Sequence, residues 1–162
     1  MSITCLKPVF VYENYTELDA SNALVINNRD LVINSVKLSP EGNYLAYSEI
    51  NRGRYKVHLI NLNKKNKDKI ILRGGYKVIN QQIDYTMPLL SWQSEGTLGI
   101  IHTRYGNTFL TMYTATSGKK RRKRLNRINQ VQGFDIVKDG NLAVLSADNK
   151  GNNDLYLISL RS

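Results

Sequence analysis

Apolar and polar residues alternate over short runs in this chain, and nowhere do the apolar positions recur at helical spacing. Val57, Leu59 and Leu62 sit beside Lys56, His58 and Asn61, as a strand with one buried face requires. Leu98, Ile100 and Ile101, followed by Phe109, Leu110 and Met112, behave in the same way. Polar clusters separate the runs: Ser39-Pro40-Glu41-Gly42-Asn43, Asn51-Arg52-Gly53, Ser94-Glu95-Gly96, Tyr105-Gly106-Asn107, Lys138-Asp139-Gly140-Asn141 and the stretch from Asp148 to Asn153. Glycine and asparagine reach positive φ at low cost, so these clusters predict hairpin turns. Short strands at such spacing indicate an all-β sandwich, barrel or propeller.

The pattern is also internally repeated. The turn glycines Gly42, Gly96 and Gly140 each follow an acid, and a second glycine comes at Gly53, Gly106 and Gly151. Counting four, six and nine residues from each second glycine gives Val57, Leu59 and Leu62, then Leu110, Met112 and Ala115, then Leu155, Leu157 and Leu160. Every one of these positions is apolar. Leu45-Ala46-Tyr47, Leu98-Gly99-Ile100 and Leu142-Ala143-Val144 occupy one equivalent strand upstream. A repeat of about 40–50 residues built from short strands is the spacing of propeller blades.

The segment Ser39-Pro40-Glu41-Gly42-Asn43-Tyr44-Leu45-Ala46-Tyr47-Ser48 resembles the turn and following strand of TolB-like β-propeller repeats. The segment from Ser146 to Leu157 resembles the hairpin and third strand of the same repeat. In the middle copy Trp92-Gln93-Ser94 replaces the proline turn. The resemblance implies an all-β fold, an incomplete β-propeller of four-stranded antiparallel blades. Residues 35–73 form the first expected blade, with strands at Ser35–Leu38, Tyr44–Glu49, Tyr55–Leu62 and Ile70–Leu72. Residues 87–128 form the second, with an outer strand expected at Arg124–Ile128, and residues 133–162 a third without its outer strand. Residues 1–34, with the runs Val9–Tyr12, Ala23–Ile26 and Leu31–Ile33, are expected to supply strands of a preceding or closing blade. Closure takes about four to eight blades, so the expectation is a piece of a larger protein with an open strand edge at Asp154–Leu160 and a capacity for self-association.

Charge sharpens the picture. The 162 residues carry a formal net charge of +10, and two tracts account for all of it. Lys119, Lys120, Arg121, Arg122, Lys123, Arg124 and Arg127 contain no acid among them, and Lys64, Lys65, Lys67 and Lys69 are offset only by Asp68. The blade layout places Lys119–Arg124 and Asn61–Lys69 in equivalent turns between third and outer strands, on one face of the disc. The candidate site is therefore a basic patch for an acidic protein or lipid partner, with a solvated turn as the plainer reading. Nucleic acid is disfavoured, because no aromatic side chains interleave with the tracts and the charge does not cover a whole face.

Other chemistry is sparse. Cys5 is the sole cysteine, which excludes an internal disulfide and a cysteine-built zinc site. No apolar run approaches the roughly 20 residues of a membrane-spanning helix. His58 and His102 have no ligand partners at metal-binding spacing, and no nucleophile elbow or phosphate loop occurs. The oxygen-rich stretch from Asp148 to Asp154 reads as a hairpin turn rather than a calcium loop, since Lys150 interrupts it. Trp92 reads as filler between blades. The expectation is a non-enzyme without cofactor or metal. The resemblance implies a bacterial cell-envelope setting, usually the periplasm, while the residues leave the cytoplasm open. A second reading is the gating propeller of a prolyl-oligopeptidase-like peptidase whose catalytic domain lies outside this chain.

Overall fold

The computed structural model describes residues 3–5, 24–26, 32–64, 67–75, 87–126, 128–149 and 151–161, and the chain divides into units Met1–Leu31 and Val32–Ser162. In the first unit β1 (Ile3–Cys5) pairs antiparallel with β2 (Leu24–Ile26). The run Val9–Tyr12 lies outside the described residues.

The second unit is built from meanders. Strands β3 (Val32–Leu38), β4 (Tyr44–Asn51), β5 (Arg54–Asn61) and β6 (Asp68–Gly75) pair in chain order as the first blade. Strands β7 (Leu89–Ser94), β8 (Thr97–Arg104), β9 (Asn107–Thr114) and β10 (Lys120–Leu125) do the same as the second. The third contains β11 (Asn129–Ile136), β12 (Leu142–Asn149) and β13 (Asn152–Ser159), and its sheet does not close on the others. The hairpins turn as their residues demand. Arg52-Gly53 and Tyr105-Gly106 all have positive φ, between 47° and 74°, the geometry of a type I′ turn whose twist matches that of the strands. One parallel pair, Gly75 opposite Arg104, links the first two blades. Gly75 has φ 133°, and a Cβ there would lie 2.4 Å from the Gly53 carbonyl oxygen, so no side chain fits at this join.

Period-two alternation sends each strand's apolar residues to two different interfaces. Leu98 and Ile100 on β8 join Ala46, Val57, Leu59 and Tyr113 in a core between the first two blades, with Trp92 buried among them. Ile101 on the same strand joins Leu110, Met112, Val131, Ile136 and Leu145 in a second core between the second and third. Full burial of each such side chain stabilises by about 1.5–3 kcal/mol, so the blades are held chiefly by one another. Trp92 also donates from Nε1 to the Lys37 carbonyl at 3.2 Å and stacks on Tyr44, which ties the inner strands of two blades together.

Polar contacts repeat across the same joints. The Glu95 carboxylate accepts from Ser39 Oγ at 2.7 Å, from the Glu41 amide at 2.6 Å and from the Asn43 amide at 3.1 Å, capping the proline turn of the preceding blade. One joint further on, the Asp139 amide donates to the Gln93 carbonyl and Ser91 Oγ donates to Asp135, each at 2.7 Å. Burial alone would raise the Glu95 pKa, but these donors outweigh it and hold the carboxyl below its usual range. Glu95→Ala should therefore cost about 1–2 kcal/mol at neutral pH in urea unfolding, the charge-assisted bonds being discounted for solvent access. Because the folded pKa is depressed, that contribution is present above the ordinary value of 4.5 and disappears as pH falls through the folded one.

The outer strand of the second blade departs from expectation. It is Lys120–Leu125, not Arg124–Ile128, so the basic run forms the strand itself rather than a turn before it. Gly118, at φ 69°, closes the reversal at once: its amide donates to the Thr114 carbonyl, and the Thr114 amide donates to the Lys119 carbonyl. The chain consequently re-enters the sheet at Lys120. A rim position tolerates a strand of charged residues because both its faces reach water. The inner strand of the third blade also begins earlier than expected, at Asn129, with bulges before Gly133.

Candidate functional site

Five consecutive basic residues, Lys120 to Arg124, are exposed along β10, and Leu125 buries the end of the strand. Directly opposed residues of an antiparallel pair share a face. Lys120, Arg122 and Arg124 stand opposite Tyr113, Thr111 and Phe109, on the face toward the first blade, and the Arg122 guanidinium lies 5.7 Å from the Phe109 ring centroid. Arg121 and Lys123 stand opposite Met112 and Leu110 on the other face and border a recess reaching Leu160 and Arg161. The strand thus offers positive charge on both sides.

The second tract meets the first. Lys64 and Lys67 lie in the turn after β5, and Lys69 lies on β6, all three exposed. They line a recess of about 340 Å³ between the first two blades, together with Tyr44, Leu59 and Tyr113. Lys120 is the partner of Tyr113 in register, which sets the start of the first tract beside a residue of this recess, although no residue from Lys119 to Arg124 itself lines it. Lys119 ends the turn before β10, while Lys65 and Arg127 lie outside the described residues.

The histidines are less solitary than their spacing suggests. Strand register sets His58 between two carboxylates, with Nδ1 2.8 Å from Asp68 Oδ2 and Nε2 3.5 Å from Glu49 Oε2. Tyr47 stacks on the His58 ring at 4.5 Å between centroids and donates its hydroxyl to Asp68, and Lys56 pairs with Glu49. Burial and the two carboxylates push the Tyr47 phenol pKa up, so that hydroxyl stays a donor. His102 is fully buried, with Nδ1 2.7 Å from the Tyr55 hydroxyl and Nε2 2.8 Å from Thr111 Oγ1. The Tyr55 hydroxyl also reaches the Thr103 carbonyl at 2.9 Å. Burial, then the charges of Arg122 and Arg104, lower the His102 pKa to about 4, so the ring is neutral and joins the first two blades. Among the described residues, no three His, Cys, Asp or Glu side chains gather where they could hold a metal ion. Among the same residues, no helix is long and apolar enough to cross a membrane.

No protein-family model and no curated protein sequence matches the chain. Among solved structures, TolB from Acinetobacter baumannii aligns over 87% of this chain with a TM-score of 0.63 and 15% identity. A chain of the nidogen/laminin complex aligns over 86% with a TM-score of 0.61 and 10% identity. The fold is a TolB-like β-propeller. The chain spans about a third of that TolB chain and about half of the nidogen/laminin one, which fits a propeller sheet that does not close. In this propeller, β3, β7 and β11 are the inner strands, β7 packing against both of the others, and β6 and β10 are the outer ones. The basic tracts therefore sit at the rim and at the turns leading to it, away from the inner strands.

Proposed function

We propose that this chain is a non-catalytic propeller module that binds an acidic protein surface through the basic rim of its second blade, within a larger protein of the bacterial cell envelope. One observation carries the reading: five consecutive cations are displayed on an outer strand, and that strand pairs with β9 alone among the described residues. Such an edge can accept an extended segment by strand addition, and its charge selects an acidic one while discouraging a second copy of itself. The buried polar residues favour a structural role over a catalytic one, since His102 is bonded at both ring nitrogens. The envelope setting draws on the resemblance of the repeats to TolB-like propellers.

The test is a titration with a short Glu-rich peptide and, separately, with duplex DNA of matched charge. The peptide should bind at physiological ionic strength, weaken as salt rises, and lose about tenfold or more in affinity when Arg121, Arg122 and Lys123 are changed to Gln. Equal binding of the DNA, or a peptide affinity indifferent to the triple substitution, overturns the proposal.

A further inference from the structure

The third blade ends in an edge built unlike that of β10. Among the described residues β13 pairs with β12 alone. Sheet edges are ordinarily blunted by charge, proline or bulges, and β10 is blunted by its five cations. β13 has none of these devices: its register with β12 runs without a shift from Asn152 to Ser159, and Asp154 is its one charged residue. The phase of the ladder follows from the Leu160 amide, which donates to the Asn141 carbonyl at 2.8 Å. In an alternating antiparallel ladder Asp154, Tyr156 and Ile158 therefore bond to β12, and the amides and carbonyls of Asn153, Leu155, Leu157 and Ser159 point to the open edge. The side chains of those four residues share the exposed face, while Tyr156 and Ile158 pack against the second core.

The strand is also close to self-complementary. On either side of Tyr156 stand Leu155 and Leu157, and one step further on that face stand Asn153 and Ser159. We propose that β13 pairs antiparallel with β13 of a second copy about a two-fold axis at Tyr156. Leu155 then lies opposite Leu157 of the second copy, Asn153 lies opposite Ser159 of the second copy, and each such pair exchanges two backbone bonds. Sliding by two residues in either direction sets a leucine against Asn153 or Ser159 instead, so the apolar pattern selects this register. The four leucines of the two copies form one strip, flanked on each side by Val144, the β12 partner of Leu157. This contact needs no acidic partner and stands apart from strand addition at β10.

Hydrogen exchange of the whole chain over a range of concentrations tests the pairing. The Leu155, Leu157 and Ser159 amides should gain about tenfold or more in protection as concentration rises, and the Tyr156 and Ile158 amides should be protected throughout. Ser159→Pro removes one outward donor from each copy and no bond within the monomer. It should leave unfolding of the dilute chain unchanged while the dimer dissociation constant rises about tenfold. Ser159→Ala, which loses the hydroxyl and keeps the amide, should associate like the wild type. Protection that rises without alternation would mean that the copies meet by their faces alone, and it overturns the edge pairing. A chain that stays monomeric at every concentration, or association indifferent to Ser159→Pro, overturns it as well.

Discussion

Lowering the pH from 6.5 to 4 should remove about 3 kcal/mol of folding stability through His102 alone. The folded pKa is depressed to about 4 against an ordinary 6.5, first by burial and then by Arg122 and Arg104. The unfolded chain therefore takes up a proton at a pH where the folded chain still refuses it, and stability rises with pH across that window. The contribution is complete above 6.5 and exhausted near 4. Geometry supports the neutral ring: with the Tyr55 hydroxyl donating to the Thr103 carbonyl, Nδ1–H donates to Tyr55 and Nε2 accepts from Thr111. Urea unfolding at a series of pH values tests this against His102→Asn. The variant should be less stable at pH 7, since it breaks a bridge between blades, but its stability should vary much less between 6.5 and 4. Parallel curves for the two proteins would assign the acid sensitivity to other groups.

What could be read from the residues, and what could not, divides along a physical line. The turns were legible because their cause is local. Arg52-Gly53 and Tyr105-Gly106 carry the positive φ that their glycines imply, and the apolar positions four and six residues beyond each glycine, Val57 and Leu59, then Leu110 and Met112, fall on buried strand faces, while Leu62 and Ala115 lie just past the strand ends. The basic tracts were legible as charge but not as structure. Alternation predicts a strand only where one face is apolar, and Lys120 to Arg124 offer no such contrast. Only Gly118 hinted that the reversal would be complete by Lys119. The polar joints were hidden altogether. His58 is ten residues from Asp68 and nine from Glu49, distances that mean nothing until strand register sets them side by side. Glu95 is harder still, because its surroundings come from a neighbouring blade.

The chain should self-associate through the exposed face of its third blade, and Leu155→Lys combined with Leu157→Lys should leave it a monomer. Both leucines lie on β13 and are 79% and 78% exposed, and Leu142 and Val144 widen the patch across β12. Their counterparts at the same offsets from the turn glycine are Val57 and Leu59 in the first blade, 0% and 6% exposed, and Leu110 and Met112 in the second, 3% and 8% exposed. Each of those pairs is covered by the blade that follows it, so the face of the third blade is shaped to receive another sheet. Burying one such leucine is worth about 1.5–3 kcal/mol, and a two-fold contact between copies counts every substitution twice. Even a fraction of that sum shifts the dissociation constant by about a hundredfold or more. Stability within the monomer should move by less than about 0.5 kcal/mol, because the substituted side chains already face water. Light scattering over a range of concentrations separates the outcomes. Association in the wild type that the double substitution abolishes identifies this face as the contact. A wild type that stays monomeric throughout, or a variant that associates equally well, would show that the leucines do not drive it.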